Sequence, residues 1–153
     1  MKKRNLFNLL RNEHGASLVE LAFVLPLFPL LIFGAVDFGR AFYLSVEIVG
    51  AAQAAAAYGS QNPTDTAGIQ NAARDDAPNV PSLTAGTPSY GCECSDGTSY
   101  SASCSIKPAC SSNTEVQRVN VTVTGTYSPW FPWPGLPSSM TLSSSASIRS
   151  GGS

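Results

Sequence analysis

The chain is 153 residues long, and only 12% of it is Asp, Glu, Lys or Arg, about half the quarter usual for a soluble domain. A formal net charge of -1 supplies no polybasic surface for nucleic acid, and the length holds one small domain plus an appendage, which excludes a multidomain enzyme. The charge is also unevenly placed. Lys2, Lys3, Arg4 and Arg11 crowd the N-terminal end, whereas residues 41–153 carry four basic and seven acidic side chains.

Residues 16–36, ASLVELAFVLPLFPLLIFGAV, form a run of 21 with a single ionisable group, Glu20. Rising about 1.5 Å per residue, such a helix extends about 30 Å, the depth of a hydrocarbon core. The rest of the chain offers too little apolar surface to enclose it, so the run predicts a membrane-spanning helix. By the positive-inside rule the basic end stays in the cytoplasm and the C-terminal part crosses the membrane. A secretory signal peptide is the alternative. Three features weigh against it: the run exceeds the usual length of about 7 to 15 residues, it contains Glu20, and the small residues that suit signal peptidase, Gly50 to Ala57, lie well beyond its end.

A carboxylate inside the membrane costs a few kcal/mol, so Glu20 either snorkels to the cytoplasmic headgroups or has a partner. A cut after Gly15 would turn the amino group of Ala16 into a cation at the membrane edge and make Glu20 the fifth residue of the product. Pro26 and Pro29 each remove a backbone donor, which predicts a kink or a local loosening of the helix.

The basic leader ending at Gly15, the stretch Gly15-Ala-Ser-Leu-Val-Glu-Leu-Ala-Phe-Val-Leu-Pro26, and the later Asp37-Phe-Gly-Arg40 with its Ala-rich continuation to Gly59 resemble the type IV pilin and pseudopilin class. They are most similar to the TadE-like proteins of the tight-adherence (Flp) pilus systems. The resemblance implies that a membrane prepilin peptidase cuts after Gly15, that Ala16 becomes the new terminus, and that Glu20 pairs with the terminal amine of a neighbouring subunit. A pair of that kind enforces register more than it adds net stability. Flp major pilins favour Tyr after the Glu and are much shorter, whereas this chain has Glu20-Leu21; a minor pseudopilin is therefore the implied role. The implied partners are the inner membrane, the prepilin peptidase, other pilin or pseudopilin subunits and the pilus assembly machinery, with no nucleic acid. The implied location is a single-pass inner-membrane protein with a periplasmic C-terminal domain, open to extraction into a pilus.

Beyond the membrane, residues 37–58 continue as helix, giving with the apolar run a rod of about 65 Å. Phe38, Phe42, Val46, Val49 and Gln53 fall on one stripe, and Arg40, Glu47 and Ala54 on another. Ala35 with Gly39, Ala41 with Ser45, and Ala51 with Ala55 are small pairs four apart, which lets a second helix approach closely. Gly59 and Asn62-Pro63 end the rod. A short helix follows at 64–76, capped by Thr64 or Asp65, with Ile69, Ala72 and Ala73 on its apolar face. The Ser/Thr-rich stretch after it holds Cys92, Cys94, Cys104 and Cys110. Their spacing and the lack of a histidine beyond His14 make a poor metal site, so an exported segment predicts two disulfides. Cys92 and Cys94 are too close to pair together, and each is expected to bond to Cys104 or Cys110.

Residues 115–127 alternate as a strand, with Val119, Val121 and Val123 on one face and Asn120, Thr122 and Thr124 on the other. Residues 140–148 alternate likewise, placing Met140, Leu142, Ser144, Ala146 and Ile148 together, which predicts antiparallel partners. The intervening loop presents Trp130, Phe131 and Trp133 among prolines, either as a contact surface or folded over the sheet edge.

The predicted fold class is α+β and pilin-like: a long N-terminal membrane-spanning helix, a short helix and a small antiparallel disulfide-stabilised sheet. The divisions are a cytoplasmic leader (1–15), a membrane-spanning and amphipathic helix (16–59) and an exported domain (60–153). No phosphate loop, nucleophile elbow, metal-binding helix or cofactor fingerprint is present, and no enzyme is expected. Three roles remain: a minor pseudopilin that assembles a tight-adherence pilus for secretion or attachment, an uncleaved membrane-anchored binding module, and an exported disulfide-stabilised protein released by signal peptidase.

Overall fold

The computed structural model describes the backbone of residues 13–106, 108–110 and 114–150, and side chains from residue 17 onward. Most of the leader therefore lies outside the described residues. The chain divides into two compact units, residues 1–39 and 40–153, with helix α1 (Glu13–Gln61) contributing to both.

In the first unit α1 is all there is to describe. Its sequence has no strong stop, and the helix runs through both Pro26 and Pro29, as helices do where neighbouring groups re-satisfy the freed carbonyls. From Leu18 to Val36 every large apolar side chain is between 45% and 71% exposed. A surface of this size marks a contact with a membrane or with other apolar chains. Among the described residues α1 is the one helix long and apolar enough to cross a membrane.

The second unit packs the rest of α1 and helix α2 (Thr66–Asp76) on one face of an antiparallel sheet. The strands are β1 (Thr84–Ala85), β2 (Ser89–Cys94), β3 (Tyr100–Ser101), β4 (Glu115–Tyr127) and β5 (Met140–Ser150). Strand β4 is the spine. β5 pairs with it over eleven residues, from Gln117 opposite Ser150 to Tyr127 opposite Met140. On its other side β2 and β1 follow one another, and β3 pairs with β2. The alternation read in β4 and β5 is realised: Val119, Val121 and Val123 are buried, Asn120 and Thr122 exposed, and the even-numbered residues of β5 half-buried.

The helical face on this sheet is made of Leu44, Ile48, Ala51, Ala52, Ala55 and Ala56, all buried. Alanines bring the helix backbone close to the sheet, and two glycines mark the closest approaches. A Cβ on Gly59 would meet Val119 at 2.9 Å, and one on Gly125 would meet Ile48 at 2.9 Å and Val80 at 2.5 Å. The stripe Phe38, Phe42, Val46 and Val49, although more apolar, stays exposed. Of the three small-residue pairs, Ala51 with Ala55 is thus spent inside the fold, whereas Ala35 and Gly39 remain exposed.

Two disulfides close the Ser/Thr-rich region, Cys92–Cys104 and Cys94–Cys110, so each β2 cysteine takes a different downstream partner. Their loops, 12 and 16 residues apart in sequence, are of a size for which closure contributes about 3 kcal/mol each. That supplement matters in a unit whose helical core face is largely alanine.

Candidate functional site

Gly15, Ala16 and Glu20 lie on one segment of α1. The side chain of Ala16 is outside the described residues, as is the basic part of the leader, residues 1–12. Glu20 is exposed, like Ser17, Leu18 and Val19 before it. It is the only acidic or basic residue between Ala16 and Val36, so in lipid its charge would have to be met by a headgroup or by a second chain. Pro26 and Pro29 follow it by six and nine residues within the same helix.

One turn past the apolar run, Arg40 opens the second unit. Its guanidinium stacks 3.9 Å from the centre of the Trp130 ring and 5.9 Å from that of buried Tyr127. The β4–β5 loop is thereby held against this end of α1. Phe131 and Trp133 meet with ring centres 5.4 Å apart. Trp130 nevertheless keeps 74% of its surface and Phe131 44%, with Leu136 beside them also open. The aromatics therefore do not complete the core, and the loop is an exposed surface. Nothing in the sequence signalled the Arg40–Trp130 stack, because the rest of α1, all of α2 and strands β1 to β4 lie between its partners in the chain.

The polar face of the sheet carries a second cluster that sequence reading missed. Glu93 is buried, bonded to Arg118 at 3.1 Å and to Arg149. Arg118 and Arg149 are directly opposite in the β4–β5 register, where like charges repel; the shared carboxylate relieves that repulsion. Arg118 also donates to Ser147 Oγ. The cluster ties β2, β4 and β5 together, and every charge in it is met within the fold.

At the end of α1, the Tyr58 hydroxyl donates to Asp65 Oδ2 at 2.7 Å, while Asp65 Oδ1 accepts from Gly68 N at 2.9 Å. Asp65, not Thr64, is therefore the cap of α2. The Gly68 amide, followed by the Tyr58 hydroxyl, holds the Asp65 carboxyl below the usual carboxylate range. The same hydrogen bond to Asp65 is the main cause that raises the Tyr58 hydroxyl above its ordinary value.

Between α1 and β5 runs a groove of about 720 Å³, lined by Val49, Gln53, Ala54, Asp76 and the Ser144–Ile148 segment. Its walls are small and mostly uncharged, with no convergent set of acids, bases or nucleophiles. Among the described residues no group of three or more His, Cys, Asp or Glu is placed to hold a metal ion, and all four cysteines are in disulfides.

Residues 15–57 match the family model described as TadE-like protein. The matched span begins at Gly15, takes in Glu20 and both prolines, and ends in the alanine face of α1. No curated protein and no solved structure matches the chain.

Proposed function

We propose, from the match of residues 15–57 to the TadE-like family model, that the chain is a minor pseudopilin, a structural subunit that supports assembly of a tight-adherence pilus. The family match supports membrane association and a place with the pilus machinery; the finer roles are our reading. Gly15 supplies the cut made by the prepilin peptidase, Ala16 the new terminus, and Glu20 the contact that sets the subunit in register with its neighbour. The chain is anchored in the inner membrane by α1, with residues 40–153 on the periplasmic side.

The observation that supports this most is the exposure of Glu20 within an uninterrupted apolar helical surface. One carboxylate in such a surface is costly unless a cation meets it, and the amine released at Ala16 is a cation at the right end of the helix. The outward stripe of Phe38, Phe42, Val46 and Val49 adds apolar surface for neighbouring helices beyond the membrane.

Glu20→Leu separates processing from assembly. Leader removal should proceed normally in this variant while sheared pilus yield falls by about tenfold or more, the loss expected when one member of a buried ion pair is deleted. Glu20→Asp should restore part of the yield. Full piliation with Glu20→Leu would remove the carboxylate from the mechanism.

A further inference from the structure

We propose that the β4–β5 loop is a membrane-interface anchor: Trp130, Phe131, Trp133 and Leu136 sit in the headgroup layer of the outer leaflet of the membrane that α1 crosses. This rests on the reading of α1 as a membrane-spanning helix. Val36 ends the apolar run and Arg40 lies four residues later in the same helix, about 6 Å along its axis. The polar layer on each side of the hydrocarbon core is about 5 to 8 Å deep. Arg40 therefore falls in that layer, and Trp130 stacks directly on it, 3.9 Å from ring centre to guanidinium. The stack places Trp130 beside Arg40, and Phe131, Trp133 and Leu136 follow it closely in the same loop.

The loop's chemistry suits that layer. Trp130 is 74% exposed and Leu136 53%, a heavy load of apolar surface for a loop facing water, yet the amphipathic indole is the side chain most at home among headgroups. From Ser128 to Ile148 the chain contains no charged residue, so no side-chain charge in the loop resists partial immersion. Pro129, Pro132, Pro134 and Pro137 have no N–H to leave unsatisfied on leaving water. They also fix the backbone, so little conformational freedom is lost on docking. Arg40, 5.9 and 3.9 Å from the ring centres of Tyr127 and Trp130, brings a positive charge to the level of the lipid phosphates.

The only two tryptophans of the chain are Trp130 and Trp133, so tryptophan emission, excited selectively over tyrosine, reports on this loop alone. The full-length protein is reconstituted in vesicles of phosphatidylcholine and phosphatidylglycerol, and its emission is read with lipids brominated near the glycerol end or near the methyl end of the acyl chain. The shallow bromines should quench about twofold more strongly than the deep ones, the signature of an interfacial ring. Aqueous acrylamide should quench less than it quenches free tryptophan. The single-tryptophan variant Trp133→Phe should keep the pattern, which assigns it to Trp130. Vesicle flotation after an alkaline wash controls for the anchor itself. Protein that floats but shows no bromine quenching overturns the loop proposal while leaving the membrane helix standing. Protection from acrylamide without bromine quenching, the result of a protein partner covering the loop, overturns it as well. Protein that fails to float overturns the membrane helix and the loop anchor together.

Discussion

The two halves of α1 are one helix built for two solvents. From Leu18 to Val36 its large side chains, Leu, Val, Phe and Ile, are all exposed; after Arg40 the side chains that meet the sheet are mostly alanine, with Leu44 and Ile48 among them, and are buried. Large side chains maximise contact with a fluid partner that conforms to them. Small ones let a helix backbone lie close on a rigid, valine-lined strand, where close packing decides the energy. Apolar content is similar in both halves, so hydrophobicity alone does not distinguish a lipid-facing surface from a core; side-chain size and the presence of a rigid partner do.

This contrast can be broken at matched positions. Ile48→Ala removes a side chain that is 1% exposed and should lower the unfolding free energy of residues 40–153 by about 3 kcal/mol, the range for a large-to-small core change. Phe28→Ala, 63% exposed in the membrane half, should leave that unfolding unchanged when measured by denaturant titration in detergent micelles. Equal losses for the two would mean that the halves are not distinct in kind.

A smaller effect is expected at the glycines. Gly59→Val would drive its branches into Val119 and Ile69, whose atoms stand 2.9 and 3.1 Å from the first added carbon, and should cost about 2 kcal/mol by overpacking. At Gly39 nothing lies within 4 Å of an added Cβ, so Gly39→Ala should be neutral or slightly stabilising through helix propensity. If pilus yield falls in Gly39→Ala while the fold is unharmed, the small residues of the first half serve close helix packing between subunits.

The smallest effect is the pH dependence of the α1–α2 junction. Asp65 has a folded pKa below its ordinary 3.8, so its contribution is complete above that value and is lost as pH falls through the lower folded value. Tyr58 is raised above 10.0, so its contribution is complete below 10 and fades as pH rises through the higher folded value. Between those limits the junction should be insensitive to pH. Asp65→Asn should flatten the acid limb of thermal stability measured by circular dichroism, and an unchanged acid limb would show that the Tyr58–Asp65–Gly68 contacts carry no linkage.

The parts of the fold that could be read from the sequence are those whose signal is local. The membrane run, the alternation of Val119 to Val123 and of Met140 to Ile148, and the Asn62-Pro63 break each act within their own segment. Strands β1 and β3 could not be read, because two residues such as Thr84–Ala85 have no pattern of their own and become strand only by pairing with β4 or β2. The buried face of α1 was masked by a more apolar stripe on its other side. Cysteine pairing stayed open because Cys92 and Cys94 point the same way, and the path of the chain to Cys104 and Cys110 decides which reaches which. The Glu93, Arg118 and Arg149 cluster is set by strand register across residues 25 and 56 apart. At the candidate site, Gly15 and Glu20 were legible as a motif, while the seat of the aromatic loop on Arg40 was not, since it depends on where β4 ends.

The pseudopilin reading stands most directly on the mass of the protein extracted from its native membrane. A mature chain lacking residues 1–15 is expected, together with retention of the leader in Gly15→Ala. An intact chain, or one shortened by about 50 residues as signal peptidase would leave it, would contradict the pseudopilin role.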